Sequence, residues 1–148
     1  QRNYDEVIYT TPDGQVFDQP MANSLSMKQN LIFLCGHYKG IDHRIREHLI
    51  TKEISIGDFV LTGGEIPAMA VADAVCRYVD GVIKGESLKQ ESFSSGLLEY
   101  PQYTRPQEFE GMSVPKVLVN GNHAEIDKWR MEKSIEITKR NRPELIEE

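Results

Sequence analysis

Apolar residues in this chain gather into short runs separated by polar, glycine-bearing stretches. Glu6 to Tyr9 and Leu31 to Cys35 (LIFLC) have the length and character of buried parallel strands, and Phe59 to Leu61 reads as a weaker third. Helical signals lie between them. Ile41, Ile45 and Leu49 recur every four residues and so share one helix face. Pro67 opens an alanine-rich stretch to Val79, as a proline at the first helical position does. Strand and helix alternate, which predicts an α/β fold with a parallel, doubly wound sheet.

The character changes after the polar stretch Lys84 to Ser95. Pro101, Pro106 and Pro115 space out a loop-rich segment, and Asn122 followed by Glu125 resembles a capping box ahead of Ile126 and Trp129. The expected organisation is an α/β domain over 1–83, a flexible linker over 84–96, and a small helical C-terminal domain over 97–148. The abrupt start inside a strand-turn unit leads us to expect a preceding segment in the full protein.

Composition narrows the class. With 148 residues and 39% hydrophobic content the chain can bury a real core, and no stretch approaches the roughly 18 apolar residues of a membrane span. No membrane role is expected, and the cytoplasm is the simplest compartment. A net charge of −6 argues against a protein that coats nucleic acid by charge alone, but the segment Lys128 to Arg142 carries +4 against −10 elsewhere. That segment reads either as a basic patch for a polyanion or as a solvated, ion-paired helix face.

Cys35 and Cys76 sit in apolar runs without CxxC spacing, so buried thiols are expected rather than a disulfide or a metal pair. His37, His43, His48 and His123 have no zinc-like spacing with cysteine, and no metal site is nominated. Three glycine-bearing segments follow the apolar runs: Thr10-Thr11-Pro12-Asp13-Gly14, Cys35 to Gly40, and Ser55 to Asp58 leading to Thr62-Gly63-Gly64-Glu65. In an open α/β sheet ligands bind beyond the carboxyl ends of the strands, and glycine there exposes backbone. Each loop alone is also an ordinary turn. None matches the GxGxxG fingerprint or the P-loop.

Their order is more specific. The strings LCGHYKGID, EISIGDFVLTGGEIPAM, YPQYTRP and GNHAEI, with Trp129-Arg130, resemble the TrmD family of bacterial tRNA (guanine-N1)-methyltransferases over nearly the whole chain. The resemblance implies a knotted SPOUT fold, in which a parallel sheet carries a deep trefoil knot. It implies S-adenosylmethionine as methyl donor, held against Gly36, Tyr38, Ile56, Gly57, Asp58, Phe59, Val60 and Leu61, with Thr10, Thr11 and Pro12 beside the ribose and methionine and Gly63 and Gly64 at a close turn. The implied acceptor is N1 of the guanine 3′ of the anticodon in tRNA.

The family uses an aspartate as general base. Glu91 takes its place before a Ser-Phe pair, on a linker one residue shorter from Arg77. The extra methylene can offset the shorter linker, although a 1 Å error at a reacting atom can cost about a hundredfold in rate. The alternative for Glu91 is a solvated linker carboxylate. Arg77 matches the family's arginine, which would stabilise charge on guanine O6; without the resemblance it is a surface arginine at a helix end. His37 and Lys39 depart from the arginine and glutamate common in the family, a lineage variation in the charge of the rim.

The resemblance further implies a magnesium ion, a C-terminal domain that grips the tRNA anticodon arm, and a homodimer with a composite active site. Tyr103, Arg105, Lys128 and Arg130 are the RNA-binding candidates, since Tyr100, Tyr103 and Arg105 offer stacking and phosphate contacts beside the basic segment. Two rivals stay open: a SPOUT methyltransferase with another RNA target, and a non-catalytic RNA- or SAM-binding module. The 148-residue chain by itself is expected to be inactive or weak.

Overall fold

The computed structural model describes residues 3–83, 85, 88 and 91–146. The chain divides into two compact units, Gln1–Lys84 and Gly85–Glu148.

The first unit is α/β. Three parallel strands, β1 (Glu6–Val16), β2 (Leu31–Cys35) and β3 (Lys52–Ser55), lie in the order β2-β1-β3. Register places Ile8 beside Phe33 and Lys52, and Thr10 beside Cys35 and Ile54. Side chains alternate across a sheet, so Ile8, Thr10, Phe33 and Ile54 share one face, while Tyr9, Leu34 and Glu53 share the other. On the first face Ile8 and Ile54 join Met21, Ala22 and Leu25 of α1 (Gln19–Ser26) and Val71 and Val75 of α3 (Glu65–Cys76) in the core. Asp18 caps α1 by accepting from the Met21 amide at 2.8 Å.

The third strand is not the one the apolar runs predict. Phe59 to Leu61 is an exposed loop, with Val60 82% accessible, and β3 is the polar-looking KEIS. Only Ile54 and Ser55 of that strand are buried, so it presents no apolar run to read. The β1 expectation is too short for a different reason. Thr10 and Gln15 both stand opposite Ile54, so Thr11 to Gly14 form an excursion before β1 resumes its pairing.

The helices hold two further corrections. Between β2 and β3 lies α2 (His43–Leu49), which buries no residue; Ile45 and Leu49 of its expected apolar face are exposed. Helix α3 begins two residues before Pro67, which occupies the third helical position, still within the turn whose amides lack partners. It stops at Cys76, short of Val79, with Arg77 at its C-cap. Its buried stripe is Ala68, Val71 and Val75, which rotates Cys76 outward: the thiol expected to be buried is exposed, while Cys35 is partly buried.

In the second unit a two-stranded antiparallel hairpin, β4 (Glu108–Phe109) and β5 (Met112–Ser113), turns through Glu110 and Gly111, both with positive φ as a two-residue hairpin loop requires. The long helix α4 (His123–Asn141) follows. Asn122 caps it weakly, at 3.5 Å from the Glu125 amide, but the box does not close: the Glu125 carboxylate takes the Asn120 amide group at 2.8 Å, and the Asn122 backbone N–H donates to the Asn120 side chain at 2.9 Å. The buried positions of α4 are Ile126, Ser134 and Thr138. Thr138 is satisfied locally, donating to the Ser134 carbonyl at 2.6 Å and accepting from the Leu98 amide at 2.9 Å. Of the expected linker, residues 84, 86, 87, 89 and 90 lie outside the described residues.

Candidate functional site

The three glycine-bearing segments converge on a cavity of about 390 Å³ beyond the carboxyl ends of the strands. Thr10, Thr11 and Pro12 form one wall, Gly36, Tyr38 and their neighbours a second, and Ile56, Gly57, Phe59, Val60, Leu61, Gly63 and Gly64 a third. Asp58 is exposed and is not part of the lining. Tyr9, Ile41, Arg46, Ser55 and Thr62 also line it. Ser55, Thr62 and Ile41 lie in the segments singled out from the sequence but were not named as site residues, and Tyr9 and Arg46 were missed because they sit inside a strand and on a helix.

Close backbone approach builds these walls. The Gly64 amide donates to the Gly36 carbonyl at 3.0 Å, and the Thr10 hydroxyl donates to the Gly64 carbonyl at 2.9 Å. A Cβ on Gly64 would stand 2.9 Å from the Cys35 Cα and 3.1 Å from the Gly36 nitrogen, so only glycine fits. His37 and Gly63 form an isolated antiparallel bridge. The His37 Nε2 lies 2.5 Å from Glu65 Oε1 across the rim. The Glu65 carboxyl is held below its ordinary value by its own backbone amide, then by His37.

The opposite rim is electrostatic. Arg46 grips Glu53 through Nε and Nη2, each at 2.6 Å, and reaches Asp13 at 2.9 Å. Asp13 also accepts from the Thr11 hydroxyl. Asp13 is lowered first by Thr11 and then by Arg46; Glu53 is lowered first by Arg46; and Arg46 is raised, chiefly by Glu53. With Arg46 committed to two carboxylates, the lining offers the Lys39 side chain, hydroxyls, main-chain groups and apolar side chains.

Arg77 is half-buried at the end of α3, where its amide donates to the Asp73 carbonyl at 3.2 Å, and it does not line the cavity. Glu91 belongs to the second unit, where its carbonyl accepts from the Ser94 amide at 3.2 Å. Among the described residues no three His, Cys, Asp or Glu side chains group to hold a metal ion.

The second unit has its own cavity, about 470 Å³, lined by Tyr100, Tyr103, Arg105, Trp129 and Arg130 among others. The Arg130 guanidinium lies 4.8 Å from the Tyr100 ring centroid, and the Tyr103 and Trp129 rings are 6.3 Å apart and tilted. The Arg130 Nε is buried without a hydrogen-bond partner. Lys128 is outside this cavity, 4.0 Å from Glu132. Lys133 and Arg142 pair with Glu136 and Glu144, so much of the basic segment is an ion-paired, exposed helix face.

Sheet and cavity together define an α/β protein with a glycine-walled cavity beyond the carboxyl ends of its strands. A family model described as tRNA (Guanine-1)-methyltransferase TrmD matches residues 1–148, and the chain belongs to that family. It is 59% identical over 149 residues to a tRNA (guanine-N(1)-)-methyltransferase of Bacteroides thetaiotaomicron, covering 100% of this chain and 66% of the relative. A Porphyromonas gingivalis protein of the same name is 58% identical with the same coverage. One from Lachnospira eligens is 58% identical over 143 residues, 96% of this chain and 61% of the relative. The chain thus spans just under two thirds of the length of the curated relatives it matches.

Proposed function

We propose that the protein of which this chain is a part transfers a methyl group from S-adenosylmethionine to N1 of the guanine 3′ of the anticodon in tRNA. The observation that carries this reading is the glycine-walled cavity, in a chain of this family, built from Thr10 to Pro12, Gly36, Ile56, Gly57 and Phe59 to Gly64. S-adenosylmethionine, when bound, supplies an electrophilic methyl group on a sulfonium centre. Backbone groups of Ile56, Gly57, Phe59, Val60, Leu61 and Gly36 would read its adenine, and Thr10, Thr11 and Pro12 would flank the ribose and methionine. Tyr38 and the close turn at Gly63 and Gly64 would complete the enclosure.

Attack by guanine N1 requires loss of its proton, which the Glu91 carboxylate would accept. Arg77 would donate two hydrogen bonds to O6 as charge gathers there. No covalent intermediate is needed; orientation carries the step. The described residues offer magnesium no carboxylate cluster, and no step is assigned to it. The proposal extends to the family's trefoil knot, to a two-fold dimer in which each subunit lends its linker carboxylate to the other's cofactor site, and to a cytoplasmic setting. In the second unit, Tyr103, Arg105 and Arg130 would meet the anticodon arm by stacking and phosphate contacts, with Lys128 nearby. The cavity beside Tyr100 and Trp129 supports that placement.

The test is methyl transfer from labelled S-adenosylmethionine to unmodified tRNA by the full-length protein, beside Glu91→Gln and a tRNA with that guanine replaced. Loss of transfer in both controls is expected. Transfer that survives the guanine replacement would establish another RNA target; cofactor binding without any transfer would establish a binding module.

A further inference from the structure

We infer that Arg46 is a positioning residue that clamps the Thr11–Gly14 excursion of β1 against the sheet, and so sets the affinity of the cavity for its cofactor. The cofactor half of this inference rests on the reading above.

The need for a clamp follows from the strand. Thr10 and Gln15 both stand opposite Ile54, so the four intervening residues leave the ladder, and three of them, Thr11, Pro12 and Asp13, line the cavity. At the far end of the excursion Gly14 lies so close to β3 that a Cβ there would be 2.7 Å from the Glu53 carbonyl carbon and the Ile54 nitrogen. This approach brings two carboxylates, Asp13 and Glu53, to one place on the sheet, and like charges there push the excursion outward.

Arg46 offsets that repulsion. Its guanidinium fork takes both oxygens of Glu53 at 2.6 Å and one oxygen of Asp13 at 2.9 Å. The Arg46 and Glu53 side chains are 22% and 31% accessible, so that pair escapes part of the screening that weakens surface ion pairs, while Asp13, at 61%, is held from the solvent side. Because Asp13 also accepts from Thr11, fixing one carboxylate orients the next residue of the wall. The guanidinium additionally lies 5.4 Å from the Tyr9 ring centroid, and the Tyr9 hydroxyl stands where a Cβ on Gly36 would come within 2.9 Å. One side chain on a helix with no buried residue therefore touches the supports of two cavity walls.

In the full-length protein, cofactor binding by calorimetry, turnover on tRNA, and amide hydrogen exchange over residues 11–15 are compared for Arg46→Met, Arg46→Lys, and Arg46→Met combined with Asp13→Asn. Arg46→Met should weaken S-adenosylmethionine binding by about tenfold while kcat at saturating cofactor stays within about threefold. Exchange over the excursion should quicken without ligand. Arg46→Lys, which keeps the charge but loses the fork, should fall between. Adding Asp13→Asn, which removes the repulsion, should recover part of the affinity. Unchanged exchange in Arg46→Met and Arg46→Lys would overturn the clamp. Faster exchange with unchanged affinity would overturn its link to the cofactor. A wild-type protein that binds no S-adenosylmethionine would overturn the cofactor reading itself, and with it that link, while exchange still decides the clamp.

Discussion

The Thr10 hydroxyl donates to the Gly64 carbonyl at 2.9 Å, joining the middle of β1 to the N-terminal end of α3 across 54 positions of sequence. Thr10 is buried. Thr10→Val keeps the shape and removes this bond while the Gly64 carbonyl keeps the Ala68 amide at 3.0 Å, so stability should fall by about 1 kcal/mol. A lower denaturant midpoint at unchanged slope would show it. Gly64→Ala acts by sterics, pushing Cys35 away, and should abolish detectable cofactor binding in a protein that still folds.

How much of this was legible beforehand differs by element. Runs such as LIFLC and the alternation around them indicated the α/β class, although LIFLC, expected to be buried, is a half-buried strand at the sheet edge. The polar β3 and the exposed Phe59 to Leu61 reversed the expectation for the third strand: Lys52 and Glu53 hide one, and a cavity wall accounts for the other. Segments flagged by glycine did converge on one cavity, since close approach demands glycine. Arg46 went unremarked, because an arginine on an amphipathic helix carries no local sign that its partners lie on two strands. The hairpin through Glu110-Gly111 was missed because it lacks the usual Asn-Gly or Asp-Gly signal.

Acid should reveal the Arg46 cluster. Asp13 and Glu53 are both lowered in the folded chain, so their contribution is complete above the ordinary carboxylate range and is lost as pH falls through the depressed values, below about pH 4. The thermal midpoint should therefore drop more steeply between pH 5 and 3, on the order of a few degrees, in the wild type than in Arg46→Met. Parallel acid profiles for the two proteins would refute this.

The two thiols should separate kinetically. Cys76 is exposed, whereas the Cys35 thiol is pushed up by burial and then by Glu65. A thiol reagent near neutral pH should give a fast and a slow phase. Cys76→Ser should delete the fast one.

Arg105 lines the second cavity and has no ion-pair partner among the described residues. If it meets a phosphate, Arg105→Gln should weaken tRNA binding several-fold and reduce the slope of log affinity against log salt by about one, leaving cofactor affinity unchanged. An unaltered slope would remove Arg105 from the interface.

The glycines of the first cavity also bear on inhibitor resistance. Five of them, Gly36, Gly40, Gly57, Gly63 and Gly64, lie in its lining, so much of what a ligand meets there is main chain. Side-chain exchange cannot alter a peptide group, and adding a methyl at Gly64 collides with the protein itself. An inhibitor whose hydrogen bonds go to those peptides would leave the chain few escape mutations. One that leans on Tyr38 or Val60, both exposed, would leave many.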